Sequence, residues 1–378
     1  MRIVQAASQP PLPSAAIPGL RRLIQEGVVD AYQGLDLAHH LEGATEGERT
    51  RLFVHEGFGR LTLLARIELM VEEIRSTKEV AFELTLGLRG RIDLIPKSLE
   101  RYYDTVSASL AAYSDQYVYS PRVREFYEAA RGLGMLSEDF SLGKPLEVDA
   151  SSKWRFADLF NELIAAIRDR CSSTRFKVRL RRHERNALRR VGRALQWERE
   201  MFDWRSRHLF LLLCLNYKPS VRHRIKPEEI QRHRQRLLES KRSNALLTGI
   251  NGYIWKIEDG KCSGLHMHIL IAYSIESKAD INIARRIGEY WRDVITQGKG
   301  SYWNSNLGRA IHRDKGHGEG TGQIDRSDVV RRRALQCNIR YLAKSDQQLK
   351  RKCGEKYRTC GMSKPPRKIV AGRPRTRQ

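Results

Sequence analysis

The chain is poor in most of the signals that announce a compartment or a cofactor. Its six cysteines (Cys171, Cys214, Cys262, Cys337, Cys353 and Cys360) form no CxxC pair, which argues against a disulfide framework and against a zinc ribbon or finger. The longest apolar run is residues 209–215, far below the roughly 20 residues that cross a bilayer, so a soluble protein with no membrane partner is expected. Residues 1–19 are rich in Pro, Ser and Ala and hold no apolar stretch of signal-peptide length; a reducing cytoplasm is the expected compartment. There is no GxxxxGK[ST] string, so an ATP-driven P-loop motor is not encoded. Acidic residues are outnumbered: 44 Asp and Glu against 69 Lys and Arg leave a formal charge of +25 over 378 residues. A compact state tolerates that self-repulsion most often for a polyanionic partner, nucleic acid first and an anionic surface second.

The composition, 40% hydrophobic with 8% aromatic, supports folded cores, and the length suggests two or three domains. Helical periodicity dominates up to Trp204, with Leu61, Leu64, Ile67, Met70, Val71 and Ile74 on one stripe and Phe156, Leu159, Phe160, Leu163, Ile164 and Ile167 on another. This half closes on a basic stretch, residues 175–193, which contains Arg181 and Arg182 and a single acid, Glu184. Such a run is either a solvated helix face or a phosphate-contacting surface. Beyond it the pattern changes. Residues 208–217 read as a buried strand, Pro227 opens a polar helix to about residue 244, and residues 247–258 and 265–273 read as a hairpin around Asp259-Gly260. Asp280 is placed to cap a helix with the stripe Ile283, Ile287, Tyr290, Trp291 and Val294. A further strand is expected near Gly322, then a helix over residues 328–347 and a tail, residues 364–378, with six basic residues and no acid. The expectation is an α+β chain in which an antiparallel sheet carries helices on one face.

The string Gly264-Leu265-His266-Met267-His268-Ile269 places two imidazoles on one face of a strand and apolar side chains on the other. Two such histidines either share a divalent ion or are surface polar residues. Glu258, on the preceding strand, can supply an oxygen ligand, and two nitrogens with a carboxylate suit Mg²⁺ or Mn²⁺ acting on a phosphodiester. Alternatively Glu258 is a turn carboxylate paired with Lys256 or Lys261, or Cys262 joins the histidines around zinc. In the last helix Leu335, Ile339 and Leu342 form an apolar stripe that Tyr341 leaves, while Tyr341 and Lys344 share a face. A phenol attacks phosphorus only with help from an ionising partner and a cation, a role Lys344 is placed to fill; a packing role for Tyr341 is the alternative. Arg340 and Lys299 add nearby cations, and Tyr302 and Trp303 could stack unpaired bases.

His266-Met267-His268 followed by Tyr341-Leu342-Ala343-Lys344 resembles the paired HUH and YxxK signature of the endonucleases that initiate rolling-circle replication. The flanks Tyr253-Ile254-Trp255-Lys256-Ile257-Glu258, Ile287-Gly288-Glu289-Tyr290-Trp291 and Gly298-Lys299-Gly300-Ser301-Tyr302 are similar to the inovirus-type replication proteins, the YagK/YfjJ C-terminal domain family. The resemblance covers residues 204–363 and leaves the first half unmatched. Helical periodicity makes 1–203 a mainly helical region for DNA binding or oligomerisation and composition makes 364–378 a basic disordered tail, while the resemblance implies a ferredoxin/RRM-like HUH nickase domain at 204–363. It further implies that His266 and His268, with Glu258 rather than Asp259, hold Mg²⁺ or Mn²⁺, that Tyr341 forms a 5′-phosphotyrosine with origin or single-stranded DNA, and that Lys344 assists. Arg181, Arg182, Lys364, Arg367 and Lys368 would hold DNA without choosing the cut. With one YxxK tyrosine, a second strand transfer requires Tyr341 regenerated, another protomer or a distant Tyr357. Unwinding and synthesis would fall to a host helicase and polymerase in the bacterial cytoplasm. A basic, non-catalytic DNA- or RNA-binding protein with an idle nuclease site is the competing expectation.

Overall fold

The structure is a computed structural model that describes residues 41–46, 49–54, 57–86, 92–150, 152–260, 264–274, 279–307, 319–343, 349–352 and 357–366. The first half contains β1 (Leu41–Glu46) and β2 (Arg49–Val54), α1 (Gly57–Ser76), the hairpin β3 (Phe82–Leu86) and β4 (Ile92–Pro96), α2 (Tyr103–Ala111), β5 (Tyr117–Tyr119), α3 (Pro121–Gly132) and α4 (Phe156–Ser172). The two helical stripes read from the sequence meet here. Ile67, Val71 and Ile74 of α1 pack with Phe160, Leu163 and Ile167 of α4, around Val123 and Phe126 of α3. The two hairpins were not legible in the helical periodicity.

A 31-residue helix, α5 (Thr174–Trp204), then leaves this core and enters another. Ser173 caps it, its hydroxyl accepting from the Phe176 N–H. Phe176 and Leu180 belong to the first core, whereas Ala194, Trp197, Met201 and Phe202 pack on a sheet. The basic stretch lies between these anchors, with Arg181, Arg182, Arg185 and Arg189 exposed.

The second half is built on a wholly antiparallel sheet. Its strands are β6 (Arg207–Tyr217), β7 (Ile250–Gly260), β8 (Gly264–Tyr273), β9 (Gly300–Asn304), β10 (Gly322–Asp325) and, beyond β11 (Leu349–Arg351), β12 (Cys360–Met362). The order is β10-β6-β8-β7-β12, and β9 pairs with β6 further along. Between the strands run α6 (Pro227–Glu239), α7 (Asp280–Tyr290) and α8 (Val329–Ala343). The fold is therefore α+β, as expected, but the helices cover both faces rather than one. Ile230 and Leu237 of α6 with Ile283, Ala284 and Ile287 of α7 meet Leu211, Leu213, Leu265, Met267 and Ile269 on one side. On the other side, α5 and α8 meet Phe210, Leu212, Ile254, Leu270 and Ala272. The apolar run along β6 already demanded this, because a strand without polar alternation has two faces to shield.

Two local expectations are also corrected. Asp280 does not cap α7; its carboxylate is buried and accepts from Asn306 Nδ2 at 2.8 Å. Val294 leaves the apolar stripe and is exposed, because the helix widens into a π turn over Trp291–Ile295.

Candidate metal and tyrosine site

Strand register assembles the site. The β7–β8 hairpin sets Glu258 opposite His266 and Lys256 opposite His268, and the β6–β8 ladder sets Cys214 opposite His268. Alternation then puts Lys256, Glu258, His266, His268 and Cys214 on the sheet face covered by α5 and α8. Both histidines are almost fully buried, His266 at 3% and His268 at 1%, so the surface-polar alternative is overturned. Gly264 starts β8 with φ +62, and a Cβ there would stand 2.9 Å from the Arg222 carbonyl oxygen, so only glycine fits.

Helix α8 delivers the tyrosine. Arg332 Nε lies 2.8 Å from the buried Glu198 Oε1 of α5, and Arg331 donates to the carbonyls of Gln323 and Thr321 at 2.8 and 2.9 Å. Gly320 allows the chain entering β10 to approach Ala334, since a Cβ would sit 2.6 Å from that residue's backbone. Leu335, Ile339 and Leu342 are buried as the stripe predicts, but Tyr341 is buried with them at 5% exposure. It does not escape to solvent, because the end of α8 lies over the sheet. Its hydroxyl donates to Glu258 Oε2 at 3.0 Å, and its ring stands edge-on to His268 with centroids 5.7 Å apart.

The electrostatics converge on Glu258. Its Oε2 is 3.0 Å from His268 Nε2 and 3.6 Å from His266 Nε2, while its other oxygen is ion-paired with Lys256 Nζ. Burial pushes the Glu258 carboxyl up, but the Lys256 ammonium and the two imidazoles outweigh it and hold the carboxyl well below the usual range. Burial likewise drives the His268 imidazole down to about 4 despite the pull of Glu258, so the ring is neutral near pH 7. His266 Nδ1 sits 3.0 Å from the Gly264 carbonyl oxygen. That contact fixes the orientation of the ring and turns Nε2 towards the Glu258 carboxylate. Two imidazole nitrogens and a carboxylate oxygen thus converge on one point, and a backbone carbonyl on the far nitrogen is how metal-binding histidines are oriented. The donors are arranged as they would be to hold a metal ion. Cys214 Sγ, 2.8 Å from Asn216 Oδ1, lies on the other flank; its sulfur and the two ring nitrogens are all within 4.8 Å of one another and form a group that could hold a metal.

The remaining expected residues distribute as follows. Lys344, Arg367, Lys368 and Cys262 lie outside the described residues. Lys364 is exposed, and Arg340 is partly buried on α8. Lys299 is paired with Glu229 at 2.8 Å, which offsets its charge. Tyr302 and Trp303 separate: Tyr302 packs into the opposite core against Gly288, so it cannot stack bases beside the histidines. Trp303 is opposite Cys214 in the β6–β9 ladder and shares the site face. Tyr357 also packs on the opposite face, away from Tyr341. Asp259 faces away from the histidines and accepts from Tyr117 Oη of β5 at 3.1 Å.

Sequence reading missed Cys214 and the full part played by Lys256. Lys256 not only neutralises Glu258; its Nζ stands 4.2 Å above the Tyr341 ring. The Lys256-x-Glu258 and His266-x-His268 spacings on paired strands were a signal for it, whereas nothing near Cys214 in sequence points to the histidines. Comparison of the chain with protein-family models, with curated proteins and with solved structures finds no match.

Proposed function

We propose that the protein is an HUH-type DNA endonuclease and strand transferase that starts rolling-circle replication, with residues 204–363 as its nickase domain. The observation that carries this reading is the convergence of His266, His268, Glu258 and the Tyr341 hydroxyl around one carboxylate oxygen, from three separate elements. Mg²⁺ or Mn²⁺ held by His266, His268 and Glu258 would supply Lewis-acid polarisation of a phosphodiester.

The protein's own residues do the rest. Tyr341 Oη bonds to phosphorus as the bond to the 3′ oxygen breaks, giving a 5′-phosphotyrosine and a free 3′-hydroxyl; the phenol's proton is balanced by the one the 3′ oxygen gains. Glu258 Oε2 orients the phenol through its hydrogen bond, and Lys256 places positive charge over the ring where anionic character develops. Conserved bond energy in the tyrosyl ester permits rejoining without ATP. With Tyr357 on the opposite face, a second transfer calls for Tyr341 again or for another protomer. Single-stranded origin DNA is the partner, a host helicase and polymerase complete the reaction, and the bacterial cytoplasm is the setting. Among the described residues no helix is long and apolar enough to cross a membrane.

Incubation with origin-derived single-stranded DNA and Mg²⁺ or Mn²⁺ is expected to give a denaturation-resistant adduct that peptide mapping places on Tyr341. The adduct disappears in Tyr341→Phe. Salt-dependent binding without an adduct under any divalent ion would instead identify an idle site in a binding protein.

A further inference from the structure

Glu258 and Cys214 flank the same pair of imidazoles from opposite sides. Glu258 is on β7 opposite His266, and Cys214 is on β6 opposite His268, with β8 between them. We propose that His266 and His268 also serve a second, thiophilic ion position in which Cys214 replaces Glu258 as third ligand, taking Zn²⁺-class ions.

The support is geometric and chemical. Cys214 Sγ and the ring nitrogens of His266 and His268 lie within 4.8 Å of one another, and all three residues are buried. Bonds of about 2.3 Å to sulfur and 2.0–2.1 Å to nitrogen set tetrahedral ligand atoms roughly 3.5 Å apart, so closure on an ion needs side-chain movement of about 1 Å. A thiolate with two imidazoles selects soft and borderline ions, whereas a carboxylate with the same imidazoles suits hard ones. One pair of histidines thus meets two third ligands of opposite preference. On binding, the Cys214 thiol gives its proton to solvent and exchanges its contact with Asn216 Oδ1 for a sulfur–metal bond. The fourth position is left to water. The inference goes beyond the nuclease reading and holds whether or not the chain cuts DNA.

Co²⁺ is the probe, since it occupies zinc sites and is coloured in them. Titration of the metal-stripped full-length chain is expected to give a near-ultraviolet thiolate-to-cobalt charge-transfer band that saturates at one equivalent. Zn²⁺ should abolish it and a large excess of Mg²⁺ should not. The band is expected to persist in Glu258→Gln and in Cys262→Ser and to vanish in Cys214→Ser. Absence of the band from the wild-type chain overturns the proposal without recourse to any variant. So does a band that survives Cys214→Ser, or one that is lost in Cys262→Ser.

Discussion

Lys256→Met tests how the site is held together. Methionine keeps most of the aliphatic stem and removes the charge. The side chains of Lys256 and Glu258 are 9% and 18% exposed, so the pair is largely desolvated, and breaking a buried pair by removing one partner costs about 3–5 kcal/mol. The Glu258 exposure argues for the lower end, about 3 kcal/mol. Loss of the ammonium 4.2 Å above Tyr341 adds roughly 0.5–2 kcal/mol. At about 2–4 °C per kcal/mol for a unit of this size, the melting temperature should fall by on the order of 10 °C. The cost arises from a stranded carboxylate, so Lys256→Met with Glu258→Gln should be more stable than Lys256→Met alone, with a coupling of about 2 kcal/mol in the double-mutant cycle. Saturating Mn²⁺, which supplies the missing positive charge, should raise the melting temperature of Lys256→Met more than that of the wild type. Calorimetry on the wild type and the three variants, with and without ion, reads all of this. A Lys256→Met chain within about 1 kcal/mol of wild type and additive with Glu258→Gln would refute the reasoning.

Three further outcomes are expected. Burial lowers the pKa of His268 to about 4 and also lowers that of His208; both folded sites favour the neutral ring, so stability declines as pH falls below the unfolded value near 6.5, and for His268 the decline runs down to about 4. For His268 this amounts to on the order of 3 kcal/mol, and denaturant titrations across that window should record the decline. Gly264→Ala forces a left-handed φ on a residue with a Cβ, costing about 1–2 kcal/mol besides its contact with the Arg222 carbonyl. It also disturbs the carbonyl that orients His266, so both melting temperature and Mn²⁺ affinity should drop. If the exposed Arg181 and Arg182 contact phosphates, the double alanine variant should reduce the slope of log affinity against log salt for single-stranded DNA by about 1.4, at roughly 0.7 per contact. An unchanged slope would make that part of α5 a solvated face only.

The face that carries the histidines was legible where chemistry and periodicity coincide. His266 and His268 are separated by one residue in an apolar strand, and that spacing alone put them on one face; Glu258 followed from the hairpin. What escaped was information carried by non-local pairing. Cys214 lies in an apolar run that looks uniform until β6 is set beside β8. Tyr302 and Trp303 look equivalent in sequence, yet the β6–β9 register sends them to opposite faces. The one-sided sheet was a misreading of a signal that was present, since β6 carries apolar residues at successive positions and both sides had to be covered. The short hairpins of the first half were invisible for a different reason, because helix periodicity measures only the segments that have it.

Helix α5 contributes to two cores, and this bears on where the polypeptide can be divided. A fragment ending at Trp204 would carry Trp197, Met201 and Phe202 without the sheet they pack on, and would present a sticky apolar ridge. One beginning at Arg205 would leave Phe210, Leu212 and Ile324 uncovered by the same helix. A cleaner division falls within the arginine-rich middle of the helix, before Val191, where each side keeps its own anchors and Arg181, Arg182, Arg185 and Arg189 are exposed. A protease that nicked this exposed span would strip neither half of its core, and the β5–β11 ladder with the Tyr117–Asp259 hydrogen bond would still hold the nicked halves together. The helix is in this sense one of two ties between the halves, and the one whose middle lies open to cutting.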